Sequence, residues 1–211
     1  MSNNNGSFNK GKFPAGNSQN VRKARPLDRQ RLRDMTLRYV ARYATSSAKL
    51  RDYLRRKLRE RGWQGEDAPD VEGLVGYCLE KGYVDDALYA RQKADDLTRR
   101  GYGRRRVDTM LFTSGIADDD ASEARELADS AKWHAALLYA RRKRIGPFVR
   151  ADKIQPDNDP AQKDRQIAAM LRAGHDMEVV RAIINTQDFA RLREKGDEAL
   201  DEALDRFDQP F

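Results

Sequence analysis

Apolar residues in this chain recur every three or four positions in short stretches, and glycine closes many of those stretches. That period places side chains on one face of a helix, whereas a half-buried strand alternates at every second residue. Leu32, Met35, Tyr39, Val40 and Tyr43 mark a first amphipathic helix whose other faces are rich in arginine. Ser46 or Ser47 offers a hydroxyl to the free N–H groups of a second, which carries Leu50, Leu54 and Leu58 and stops at Gly62. A third carries Val71, Leu74, Val75 and Leu79 and ends at Lys81-Gly82. Helices this short are marginal alone, so they must pack on one another.

The arrangement then returns twice. Asp85 opens a helix with Ala87, Ala90, Ala94 and Leu97 on its inner stripe, ending at Gly101-Tyr102-Gly103. The next bears Val107, Met110 and Leu111 and ends at Gly115, after which Asp118 to Asp120 cap a helix carrying Ala121, Ala124, Leu127 and Ala128. A third pass starts near Trp133, Leu137 and Ala140, breaks at Gly146-Pro147 and crosses a loop holding Pro156 and Pro160. It resumes with Ile167, Met170 and Leu171, stops at Gly174, and finishes with Val179, Val180, Ile183 and Ile184. Gly62, Gly115 and Gly174 close the middle helices at separations of 53 and 59 residues, each shortly after an apolar pair or residue (Leu58, Leu111, Met170-Leu171). The expectation is an all-α chain of three tandem three-helix repeats over 27–83, 84–130 and 131–188.

Composition supports an elongated row of small units over one deep core: 39% of residues are hydrophobic and 36% charged. Residues 1–26 hold five Lys or Arg and no acid, the pattern of a disordered basic arm. Residues 189–211 form an acidic tail in which Leu200, Leu204 and Phe207 outline one short amphipathic helix. The formal net charge of +7 points to an acidic partner. Cys78, the single cysteine, has no internal disulfide partner, fits a reducing cytoplasm, and reads as a small core residue among apolar neighbours. No long apolar run occurs, so a cytoplasmic protein without a membrane span is expected.

The search for chemistry yields little. There is no Gly-x-x-x-x-Gly-Lys phosphate loop, and the two histidines, His134 and His175, lack a second ligand at metal spacing. Acid clusters at Asp85-Asp86 and Asp118–Asp120 stand where helices begin, and capping and dipole compensation account for them. A hydrolase or metalloenzyme has only those clusters behind it. The expectation is no catalytic residue, no metal and no cofactor.

Charge patterning says more. Residues 27–61 hold twelve basic against four acidic residues, and 62–98 hold three against nine, so folding should segregate a basic face from an acidic rim. Arg99 and Arg100 end one helix; Arg104, Arg105 and Arg106 open the next. Cations in a first turn oppose the helix dipole, at a cost of roughly a few tenths of a kcal/mol each. Beside free N–H groups they form an anion site. Arg141, Arg142, Lys143 and Arg144 lie at a helix C-terminus, where the dipole favours cations, and are assigned to the same partner-binding face. Gly62, Gly101, Gly103, Gly115 and Gly174 are assigned as structural turns. Tyr53, Trp63, Tyr83 and Tyr102 stand near helix ends, where stacking on bases and ordinary packing are both open. No base-reading helix-turn-helix is evident.

Several of these segments together resemble RecX-type regulators of the RecA recombinase. They are Tyr39-Val40-Ala41-Arg42-Tyr43 with Ser47, Leu50-Arg51 and Lys57-Leu58, and Gly82-Tyr83-Val84-Asp85-Asp86 with Tyr89-Ala90. The most specific is Arg99-Arg100-Gly101-Tyr102-Gly103-Arg104-Arg105-Arg106-Val107, followed by Leu111 and Gly115-Ile116. Tyr139-Ala140-Arg141-Arg142 with Ile145-Gly146-Pro147-Phe148 resembles the family's third segment. Arg104 stands where the family commonly has proline, and Met110 where an acid is usual. The resemblance implies a curved array of three-helix repeats that lodges in the groove of the RecA–DNA filament. It implies a protein, as a monomer, that limits filament growth, ATP hydrolysis and strand exchange, meeting DNA directly or through the filament. The alternative is a general nucleic-acid-binding helical protein with no recombinase partner.

Overall fold

A computed structural model describes residues 25–149 and 160–185. Among them the chain is all-α, with nine α-helices and a short 3-10 turn. Of the expected basic arm over 1–26 all but residues 25 and 26 lie outside the described residues, as do the whole expected tail over 189–211 and Pro156.

The helices are α1 (Arg29–Arg42), α2 (Ser47–Arg61) and α3 (Val71–Glu80), then α4 (Asp86–Arg99), α5 (Arg104–Thr113) and α6 (Asp118–Ser130). After these come α7 (Lys132–Lys143), the 3-10 turn Gly146–Phe148, α8 (Pro160–Arg172) and α9 (Met177–Ile184). Their starts follow capping chemistry. The side chains of Asp28, Ser46, Asp70 and Asp85 each accept a backbone N–H at the head of a helix, satisfying a donor that the helix itself leaves open. Three expectations change. Asp118 to Asp120 lie inside the first turn of α6, whose N-cap is Ala117 without a side-chain bond, so they act on the dipole and not as caps. Pro160, read as loop, is the first residue of α8, where its missing N–H costs nothing. Tyr43 and Leu79, read as inward, are 49% and 42% exposed, because each sits at its helix's end beyond the last packed turn.

The buried apolar side chains fall into three clusters. The first joins Leu27, Leu32, Leu50, Leu54, Val71, Val75, Cys78 and Val84. The second is built mostly of alanine, with Val107 and Leu111, and lets α4 lie close along α6. The third centres on Trp133, Leu137, Met170, Val180 and Ile183. Segments interlock at the seams: Val84 packs into the first cluster and Tyr102 against the third. Cys78 is fully buried, and that burial pushes its thiol pKa up.

Two seams position the basic residues. At one, the Ser46 hydroxyl donates to the Ser114 carbonyl at 2.6 Å, while Ser47 donates from its backbone N–H and its hydroxyl to the Asp86 carboxylate. At the other, the Gly103 N–H donates to the Ala173 carbonyl at 3.0 Å and the Arg105 N–H to the Gly174 carbonyl at 3.1 Å. A Cβ on Gly103 would lie 2.3 Å from the Gly174 oxygen, so the two backbones meet only because both residues are glycine. Gly62, Gly101, Gly115 and Gly174 take positive φ at their turns; Gly103 does not, and serves by its size.

Candidate basic interface

The turn from Gly101 to Gly103 brings the end of α4 and the start of α5 to α7, at Ala135 and Tyr139, and to the Gly174 turn after α8. At its centre is Tyr102, partly buried against the third cluster. The guanidinium of Arg106 lies 6.0 Å from its ring centroid and that of Arg142 lies 5.8 Å away, the latter also 5.3 Å from the Tyr139 ring. Arg142 donates to the Arg100 carbonyl at 2.7 Å, tying α7 to the turn after α4. Stacking on an aromatic face holds a guanidinium in place while its N–H fork stays available to an anion. Arg142, far along the chain from Arg100 and Arg106, is thus their neighbour.

The other predicted arginines are placed differently. Arg104 turns toward α6, where it pairs with Asp108 at 3.1 Å and with Asp129, and donates to the Arg125 carbonyl. Burial works against its charge, but the hydrogen bonds to Asp129 and Asp108 more than offset that and raise its pKa. Arg105 reaches Asp176 at 3.3 Å across the seam. Arg99 and Arg100 pair with Asp95 and Asp96 one turn back on α4, the latter loosely at 3.7 Å. Arg141, Arg142, Lys143 and Arg144 are exposed at the end of α7, with Arg144 in the left-handed conformation that closes the helix. Arg106, Lys143 and Arg144 make no ion pair among the described residues.

Sequence reading missed the opposite wall. A groove of about 720 Å³ runs between α7 and α8, lined by Arg142, Lys143, Gln162, Arg165, Gln166 and Arg172 over a floor of Tyr102, Tyr139, Ala169 and Ala173. No carboxylate lines it among the described residues. The helical spacing of Gln162, Arg165, Gln166, Ala169 and Arg172 was the available signal, obscured because Ile167, Met170 and Leu171 dominate the reading of α8.

Histidine and tyrosine candidates resolve toward packing. His175 is buried beside Tyr139, with its Nε2–H donating to the Gly101 carbonyl at 3.1 Å, and burial lowers its pKa to about 4. Tyr53 stacks on Tyr39 at 3.9 Å, and Trp63 donates to the Asp67 carbonyl. Tyr83 is half exposed, with its ring edge-on to Tyr77. No cluster of three or more His, Cys, Asp or Glu residues suited to a metal occurs among the described residues, and no helix there is long and apolar enough to cross a membrane.

The sequence is similar to several proteins named Regulatory protein RecX. That of Myxococcus xanthus is 29% identical over 164 residues, covering 74% of this chain and 84% of the relative. That of Chromohalobacter salexigens is 28% identical over 150 residues, covering 71% and 88%. That of Pectobacterium atrosepticum is 36% identical over a shorter stretch of 92 residues, covering 36% and 57%. No protein-family model matches the sequence.

Proposed function

Because the chain belongs to the RecX family of regulatory proteins, we propose that it is a non-enzymatic regulator that binds the RecA nucleoprotein filament and limits its growth, ATP hydrolysis and strand exchange. The observation that carries this reading is the Arg106–Tyr102–Arg142 stack with its unpaired neighbours Lys143 and Arg144. Cations kept away from their own acids serve an external anionic surface, either phosphate or carboxylate. Three helical units in tandem would set that surface along a row of identical subunits, as repeat arrays do for extended partners.

In this reading Arg99, Arg100, Arg106, Arg142, Lys143 and Arg144 meet the filament, and Arg141 and Arg105 flank them. Arg104 supports the surface from behind by fixing α5 to α6. The protein acts in the cytoplasm as a monomer. A direct route to DNA is the second reading, favoured by the carboxylate-free groove between α7 and α8 and by the basic residues of 1–26.

The two part in one experiment. Titrating the chain into recombinase assembled on single-stranded DNA should suppress ATP hydrolysis at amounts well below one regulator per recombinase subunit. Unchanged hydrolysis at equimolar protein, together with tight and steeply salt-dependent binding to bare DNA, would move the function to the second reading.

A further inference from the structure

A row of tyrosines crosses the face formed by α1 and α2, which shares no residue with the groove between α7 and α8. Tyr39 and Tyr43 are four residues apart and so lie on one side at the end of α1. Tyr53 joins them from α2. The rings of Tyr39 and Tyr53 stack with centroids 3.9 Å apart and 14° between their planes. Tyr43 continues the row, its centroid 5.3 Å from that of Tyr39 and its plane tilted by 47°. The inner two rings pack partly buried against the first apolar cluster, whereas Tyr43 is 49% exposed. Packing accounts for Tyr39 and Tyr53; Tyr43 adds little to the core and extends their row into solvent.

Cations frame the row on both sides. Two hollows share Tyr39 and Tyr53 as a common wall. The first, of about 480 Å³, is lined by Arg31, Arg38, Arg42 and Arg61 together with Asp34. The second, of about 550 Å³, is lined by Lys49, Arg55, Arg56 and Arg59 together with Asp52. Arg42 lies 5.4 Å from the Tyr43 centroid, and Arg56 lies 5.7 Å from that of Tyr53. Several of these side chains have partners on their own surface: Arg31 has Asp28, Arg55 has Glu72 and Arg56 has Glu60. Such exposed pairs contribute little, so exchanging a carboxylate for a phosphate costs little. The cations alone would suit any polyanion. The rings narrow the choice, because a tyrosine face stacks on an unpaired base, and a duplex keeps its base faces inside its own stack.

We propose that the α1–α2 face binds a single nucleic-acid strand, DNA or RNA, with one base stacked on Tyr43 and the backbone phosphates in the two hollows beside it. Tyr39 and Tyr53 hold Tyr43 in place from behind, and the exposed Arg38 and Arg59 meet the phosphates. The site is distinct from the groove between α7 and α8 and stands independently of the recombinase reading.

The test is fluorescence anisotropy of a labelled oligothymidylate titrated with the full chain, with no recombinase present, beside an abasic strand of equal length and charge. The parent should bind the oligothymidylate about fivefold or more tighter than the abasic strand. Tyr43→Ala should remove that preference while leaving abasic binding within about twofold, which a general loosening of the fold would not do. Arg38→Glu/Arg59→Glu should weaken both strands about tenfold with helix content unchanged. If that variant does not fold, Arg38→Gln/Arg59→Gln should weaken both strands in its place. An oligouridylate of the same length shows which strand is held better, and either preference supports a stacked site. Equal binding of the oligothymidylate and the abasic strand by the parent overturns the proposal, because the surface then reads charge alone. So does no binding of either strand. So does a base preference that survives Tyr43→Ala and vanishes with Lys143→Glu/Arg172→Glu, which places the strand in the groove between α7 and α8.

Discussion

Two arginine runs on this chain face different fates, and the contrast explains how the molecule separates structure from interaction. Arg104, at the head of α5, is taken up by Asp108, Asp129 and the Arg125 carbonyl. At the end of α7, Arg142 is held by a backbone carbonyl and two tyrosine faces, while Lys143 and Arg144 stay exposed without an ion pair among the described residues. Dipole reasoning from sequence points the other way: it marks the α5 turn as misplaced charge needing a partner and the α7 end as self-explanatory. The partner that Arg104 needs is inside the protein. One carboxylate is a turn ahead on α5 and the other a helix away on α6, and direct pairing outweighs an end-of-helix effect of roughly a few tenths of a kcal/mol.

If the α5 end is the structural one, perturbing it should cost stability where the α7 end does not. The largest effect is expected at Gly103→Ala. The added methyl meets the Gly174 backbone, which cannot step aside as a side chain can. A loss of about 3 kcal/mol in urea unfolding is expected, the upper end for overpacking. A loss under about 0.5 kcal/mol would show that the seam is loose.

Next is acid sensitivity centred on His175, which bonds the turn just before α5. Its folded pKa of about 4 lies below the ordinary value of 6.5. The unfolded chain therefore takes up the proton first as pH falls, and stability present above pH 6.5 is lost down through pH 4. Between pH 8 and pH 5 the loss from this one group is about 2 kcal/mol. His175→Gln should flatten that part of the stability profile, and an unchanged profile would place the acid sensitivity elsewhere.

Smaller again is Arg104→Gln, expected to cost about 1 kcal/mol because its pairs are partly solvated. Lys143→Gln and Arg144→Gln should fall within about 0.5 kcal/mol of the parent by the same unfolding measurement. Equal costs at the two ends would erase the distinction between them.

How much of this was legible beforehand differs by level. Helix positions follow from the period of Leu50, Leu54 and Leu58 and of Ala90 and Ala94, because local spacing alone decides which face is apolar. The starts at Ser46 and Asp85 were equally local. The meeting of Arg106 and Arg142 around Tyr102 was not, since it depends on the close approach of Gly101 to Ala135 and Tyr139 of α7, far along the chain. Arg172 and Gln166 escaped notice because a strongly apolar stripe on α8 drew attention from its neighbouring polar face. Met110 and Leu97, read as part of the apolar stripes, pack against the second cluster while staying only partly buried, as an alanine-rich core leaves little depth.

In the proposed function the α7 end with Arg106, and not Arg104, meets the recombinase filament. The most direct test is inhibition of recombinase ATP hydrolysis on single-stranded DNA by two variants of verified fold, Arg106→Glu/Arg142→Glu and Arg104→Gln. The first should raise the concentration needed for half inhibition at least tenfold, and the second should change it less than twofold. Equal inhibition by the charge-reversed variant and the parent would contradict it.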